Sequence, residues 1–159
     1  MSNPPRSVRR PSMCNESAPE SVALECRFAA PVSAVWRAWT VPALVKRWWG
    51  SDPHGIVTAA VLDVQPGGRF EIAFRDTTDD EHVCFGEYLR VVPESELEST
   101  WSWRGEANAP SRVRVRFFGD GGGTRMGFRH SELLGSSIHD YAAGWRRTFA
   151  KLERVLADR

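Results

Sequence analysis

The stretch SIHDYAAGWRRTFAKLERVL, residues 137–156, decides how this chain folds. Ile138, Tyr141, Ala142, Trp145, Phe149, Leu152 and Leu156 recur at helical spacing and form one apolar stripe, running over about five turns. Ser137 and Asp140 have the spacing of a capping box, and Gly135 precedes them as a breaker, so a helix is predicted to start here. At 1.5 Å per residue it is roughly 30 Å long, enough to cross a domain of this size. Nothing else in the chain can bury that stripe except the concave face of a sheet.

Upstream of the helix the apolar period is two. Strands are predicted over 56–64, 69–75, 82–92, 97–103, 112–118 and 124–130. Between them lie Pro66-Gly67-Gly68 and residues 77–81, 93–96, 105–110 and 120–123, all rich in turn formers. Connections this short hold no crossover helix, so the strands must run as an antiparallel meander. Phe70, Ile72 and Phe74 share one face, as do Val113, Val115 and Phe117, and Met126, Phe128 and His130. Arginines and acids occupy the other face, so one side of the sheet is wet and the other covered.

Towards the N-terminus, Val22, Leu24, Cys26 and Phe28 alternate as a first strand over 22–28. Pro31 suits the first turn of a helix carrying Val32, Val35, Trp36 and Trp39. Thr40 is placed to cap a second short helix with Leu44, Val45 and Trp48 on one side and Gly50 as its stop. Residues 1–20 combine Pro, Ser, Asn and Arg with few large apolar side chains and read as a disordered tail. The expectation is an α+β fold in residues 21–159, with about seven antiparallel strands curved around a long C-terminal helix.

Bulk properties narrow the function. The chain has 159 residues, 42% hydrophobic and 26% charged, with a formal net charge of +1. Such a balance offers no electrostatic case for nucleic acid or an anionic membrane. No apolar run approaches the roughly 20 residues of a membrane helix, and the basic N-terminus lacks the apolar core of a secretory signal. Cys14, Cys26 and Cys84 show no CxxC spacing, which makes a reducing cytoplasm the default location. Seven tryptophans imply an aromatic-rich core or a pocket lined with rings.

Several local motifs carry a family resemblance. FAAPVSAVWRAWTVPALVKRWWG (28–50), LDVQPGGRF (62–70), GEYLRVVPESELESTWSW (86–103), GGGTRMGFRH (121–130) and Gly144-Trp145 together resemble the START-like helix-grip superfamily, SRPBCC. Within it they are similar to the C-terminal domain of the activator of heat-shock protein 90 ATPase. The resemblance runs from about Ala23 to Leu156. Four residues before the tryptophan of Gly-Trp, where such proteins often carry His, this chain has Tyr141. The resemblance implies a cavity between the long helix and the sheet that takes small, largely apolar molecules.

The candidate ligand-binding residues are Phe70, Phe74, Phe85, Trp101, Trp103, Phe117, Phe128, His130, Trp145 and Phe149. Their rings either line a pocket or pack on one another as a solid core. Trp48-Trp49 forms a rim with one ring outward, or Trp49 folds back onto the first helix. His130 shares the inward phase of Phe128 and is an acid–base candidate, with Glu87 (in phase with Phe85 and Leu89) as its carboxylate, or else a hydrogen-bonded structural histidine. Arg112, Arg114, Arg116, Arg125 and Arg129 make a solvated face that pairs with acids such as Glu71 and Glu98. No metal-ligand spacing, nucleophile elbow, P-loop or dinucleotide fingerprint is present, so no cofactor, metal or catalytic residue is assigned.

Three functions follow in order. The first is binding of a small hydrophobic or amphipathic ligand, without catalysis. The second is a co-chaperone-like module that meets a chaperone through its surface, with Trp49 as a contact. The third is a small cyclase or hydrolase using His130. Monomer and homodimer both fit.

Overall fold

The computed structural model describes residues 20–134 and 139–158. The tail, Cys14, and the Gly135, Ser137 and Ile138 start signals for the last helix lie outside the described residues. The elements are β1 (Glu20–Phe28), α1 (Val32–Thr40), α2 (Pro42–Val45), β2 (Ile56–Leu62), β3 (Arg69–Arg75), β4 (Glu81–Val92), β5 (Glu96–Trp103), β6 (Ser111–Asp120), β7 (Gly123–Leu133) and α3 (Tyr141–Ala157). One curved antiparallel sheet runs β1-β7-β6-β5-β4-β3-β2, with β1 and β2 at its edges. This is the helix-grip arrangement expected from the sequence.

The concave face meets α3. Trp145, Phe149, Leu152 and Leu156 are buried along one side of the helix, against Phe128, Trp101 and Trp39 from the sheet and α1. Asp140 caps α3, its carboxylate accepting from the Ala143 N–H at 3.1 Å. Thr124 ties the sheet to the entry of α1 by donating to the Ala30 carbonyl at 2.8 Å.

Two local predictions change. Pro31 is the residue that caps α1 rather than one within its first turn, and Thr40 closes α1 by donating to the Trp36 carbonyl instead of capping α2. The second helix is only four residues long, started by Pro42. Because it stops at Val45, the following turn swings both Trp48 and Trp49 inward. The Trp48 indole donates to the Ala38 carbonyl.

The Pro66-Gly67-Gly68 turn shows why glycine is required. Gly67 has φ +83, a left-handed conformation that side chains resist. A Cβ on Gly68 would run into the Asp63 carbonyl. Backbone bonds between Gly67 and Gly68 and the main chain of Tyr88 then fasten this hairpin to β4. Gly68→Ala is expected to cost about 2 kcal/mol of stability, measured as a lower urea midpoint. Gly127→Ala, where a Cβ has open space, is the control and should leave the midpoint unchanged or raised.

The outer face is held by ion pairs. Arg112 reaches Glu98 and Glu132, Arg114 reaches Glu96 and Glu98, and Arg104 reaches Glu71. Arg125 pairs with Glu25 and lies over the Phe118 ring.

Candidate functional site

A cleft of about 370 Å³ opens between the first turns of α3, the loop after α2 and the ends of β3 and β5. Its aromatic wall is a chain of rings. Trp49 and Trp145 are 5.7 Å apart, Trp145 and Trp101 5.2 Å, Trp101 and Trp103 5.4 Å, and Trp103 and Phe74 6.0 Å. Most meet edge to face or tilted, the arrangement aromatic quadrupoles favour.

The cleft also has a polar edge. The Trp103 indole donates to the Tyr141 hydroxyl at 2.9 Å, and the His139 imidazole stacks on Trp103 with ring centres 5.0 Å apart. His139 Nε2 lies 2.6 Å from Glu106, and His82 Nε2 lies 2.9 Å from Asp76. The His82 bond, with those from Thr78 and Asp80, holds the Asp76 carboxyl well below the usual carboxylate range.

The loop that forms one rim is fixed from two sides. Asp52 accepts from the His54 and Thr77 backbone N–H groups and the Thr77 hydroxyl, and these bonds lower its pKa. On the other side Lys151 of α3 sends its Nζ to the carbonyls of Trp49, Gly50 and Asp52 at 3.1, 3.0 and 3.0 Å. Three N–H donors meet three carbonyls, which requires the ammonium form. Burial pulls the Lys151 pKa down, and the nearby Asp52 charge opposes that.

Behind the cleft wall, His130 is fully buried. The Trp145 indole donates to its Nδ1 at 3.0 Å, which puts the ring proton on Nε2. That nitrogen lies 2.7 Å from the Ser111 hydroxyl, which passes the chain on to the Trp101 carbonyl. Burial pushes the His130 pKa down to about 3. Both nitrogens are used and the ring is neutral at ordinary pH, so His130 is a structural histidine.

The predicted residues therefore divide. Phe74, Trp101, Trp103 and Trp145 line the cleft. Phe70, Phe117, Phe128 and Phe149 are buried in the packed core beside it. Phe85 is a correction: it stands 40% exposed on the convex face, and Glu87 and Leu89 are exposed with it. The register pairs Phe70 with Gly86 and Ile72 with Cys84, so the inward set on β4 is Cys84, Gly86 and Tyr88. At Gly86 the space for a side chain is already taken by the Phe70 ring and the Thr100 carbonyl. The His130–Glu87 pair consequently does not form.

Of the two readings of Trp49 the structure takes the second: the ring is buried, folded back against Trp39 of α1 and packed also on β5 and α3, not an outward contact. Sequence reading missed Asp52, Asp76, His82, His139 and Lys151. Only Lys151 carried a signal, as a cation on the flank of an apolar stripe in step with Gly144 and Thr148. Among the described residues no three of His, Cys, Asp and Glu converge as a metal-ion site.

Residues 29–157 match the family described as activator of Hsp90 ATPase homolog 1-like protein. The chain belongs to that family. Solved structures of similar proteins show the same fold. A protein of Nitrosomonas europaea is 24% identical with a TM-score of 0.76, over 87% of this chain and 94% of its own. One from Rhizobium leguminosarum is 23% identical with a TM-score of 0.76, over 90% and 97%. An AHSA1-like protein from Aeromonas hydrophila is 21% identical with a TM-score of 0.74, over 87% and 93%. No curated protein matches the chain. Among the described residues no helix is long and apolar enough to cross a membrane.

Proposed function

We propose that this protein binds a small, largely apolar molecule with a flat ring system in the cleft between α3 and the sheet. The observation that carries this reading is the wall of indole and phenyl rings around a cleft of about 370 Å³ with a hydrogen-bonding edge. Small-molecule sites have this size and this mixture of apolar surface with few polar groups. Burying about 150 Å² of apolar ligand surface there contributes about 4 kcal/mol.

Native mass spectrometry of the purified protein, followed by denaturing extraction, tests it directly by revealing a stoichiometric small molecule. Saturation-transfer NMR with a panel of small aromatic fragments is the second test. Trp103→Ala, at the partly exposed end of the wall, should weaken fragment binding at least about tenfold. Arg114→Ala, on the convex face, should leave it unchanged. Equal effects of the two substitutions would remove the cleft from consideration.

A second reading, contact with a chaperone, is supported by family membership and by Ile56 and Val61, each about two-thirds exposed on the edge strand β2. It requires capture of an Hsp90-type chaperone by the wild-type protein and loss of capture in an Ile56→Ser, Val61→Ser double variant. Capture no better than background ends that reading.

A further inference from the structure

We propose that the cleft has an inner subsite, a neutral hydrogen-bond-acceptor oxygen held between the indole N–H groups of Trp39 and Trp101. The Nε1 atoms of these two residues are buried and have no hydrogen-bond partner among the described residues. Other indoles of the same cluster are satisfied, Trp48 by the Ala38 carbonyl, Trp103 by Tyr141 and Trp145 by His130. A buried donor without an acceptor is costly, and two within one aromatic cluster are unusual.

Trp39 and Trp101 also line the same internal void, of about 30 Å³. Trp49 packs against both, its ring centre 6.0 Å from Trp39 and 5.8 Å from Trp101. A water-sized group needs roughly 10–15 Å³ of such space, so one oxygen with its immediate substituents fits. The rest of the wall is mostly aliphatic and aromatic, including Val45, Leu62, Phe70 and Leu97, with Ser99 as a nearby hydroxyl.

This lining selects the chemistry. Indole nitrogen only donates, so its complement is an acceptor and neither an ammonium nor another N–H. The lining contains no Lys, Arg or His, so a carboxylate would enter without a counter-charge. A neutral oxygen remains, from water or from the carbonyl of a ketone, ester or amide. Trp49 and Trp101 wall both the void and the outer cleft. The carbonyl form requires a ligand in the cleft to part these two rings, whose centres are 5.8 Å apart, to reach the inner donors. The water form of the subsite stands on the void alone, and the carbonyl form rests on the cleft being a ligand site.

The experiment uses the full-length protein with ¹⁵N-labelled indoles. Trp39→Phe and Trp101→Phe serve only to assign two of the seven Nε1–H resonances. In the wild-type protein both protons are expected to show rotating-frame cross-relaxation with water and hydrogen-bonded chemical shifts. The protein is then titrated with 2-acetonaphthone and with 2-ethylnaphthalene, which lacks the carbonyl. If a ligand carbonyl fills the subsite, the ketone binds at least tenfold tighter and abolishes the water cross-peaks of both indoles. If both compounds bind equally and the cross-peaks persist, the subsite is a water site. Cross-peaks without binding of either compound keep the water site and count against the cleft as an aromatic-ligand site. Absence of water contact, with non-hydrogen-bonded shifts at both indoles in the free and ketone-treated protein, overturns the proposal.

Discussion

Lys151→Ala is expected to destabilise the fold by about 3–5 kcal/mol, because it strands three carbonyls that now share one ammonium. Lys151→Met tests the cause. It retains most of the buried stem, so packing is largely kept while all three hydrogen bonds are lost. Its stability in urea should fall nearly as far as that of the alanine variant. Amide exchange should accelerate selectively at residues 50–55, the rim of the cleft, and at Thr77, which the Asp52 side chain holds. A methionine variant as stable as the wild type would show that Lys151 contributes through its stem alone.

Acidification should produce the next largest effect. His130 is neutral in the folded state, with its pKa at about 3, whereas an unfolded histidine titrates near 6.5. The folded pKa is the lower of the two, so this contribution to stability is complete above about pH 6.5. It is lost progressively as the pH falls towards 3, because the unfolded chain takes up a proton that the folded chain refuses. The slope is about 1.4 kcal/mol per pH unit, so moving from pH 6.5 to 5 should remove about 2 kcal/mol. Asp76 and Asp52, both with lowered pKa values, add their acid sensitivity below the unfolded carboxylate range, around pH 4. The interval between pH 6.5 and 5 lies above that carboxylate range, and a variant at position 130 separates this histidine's share. His130→Gln keeps one acceptor for Trp145 and one donor for Ser111 but cannot titrate. It should be less stable at pH 7 and distinctly less acid-sensitive, and identical slopes in the two proteins would contradict the assignment.

Much of the architecture is legible in the chain because strand alternation and turn residues are local signals. Residues 69–75 alternate so cleanly that the predicted strand and β3 coincide. Pro66-Gly67-Gly68 marks its turn through requirements of backbone geometry alone. The phase of β4 was misread for an equally physical reason. Its inward position at Gly86 has no side chain, since Phe70 fills the space from the neighbouring strand. Phe85 and Leu89, on the wet face, consequently present the stronger apolar pattern.

The cleft divides in the same way. Its aromatic wall was readable, because Phe74, Trp101, Trp103 and Trp145 announce themselves by size and phase. Its polar edge was not, because its longest-reaching contacts join segments distant in the chain. Lys151 meets a carbonyl 102 residues away, and His139 meets Glu106 across 33. No local periodicity encodes such a meeting. The two tryptophans at 48 and 49 were placed by an early helix stop, which depends on how Pro42–Val45 ends against the sheet.

The pairing of β1 with β7 also fixes an order of assembly. Strands β2 to β7 form a continuous meander in which each can zip onto its predecessor, a series of short loop closures. β1 has no such neighbour: among the described residues its only sheet partner runs from Gly123 to Leu133, about a hundred residues later. During synthesis the first strand must wait until β7 has left the ribosome. The apolar trough of the meander waits longer still, because α3 emerges after β7. Such long-range closure slows folding and prolongs exposure of the trough. Nascent chains stalled before residue 123 would therefore carry β1 as an unpaired strand and lack α3, which makes them substrates for holding chaperones and seeds for aggregation.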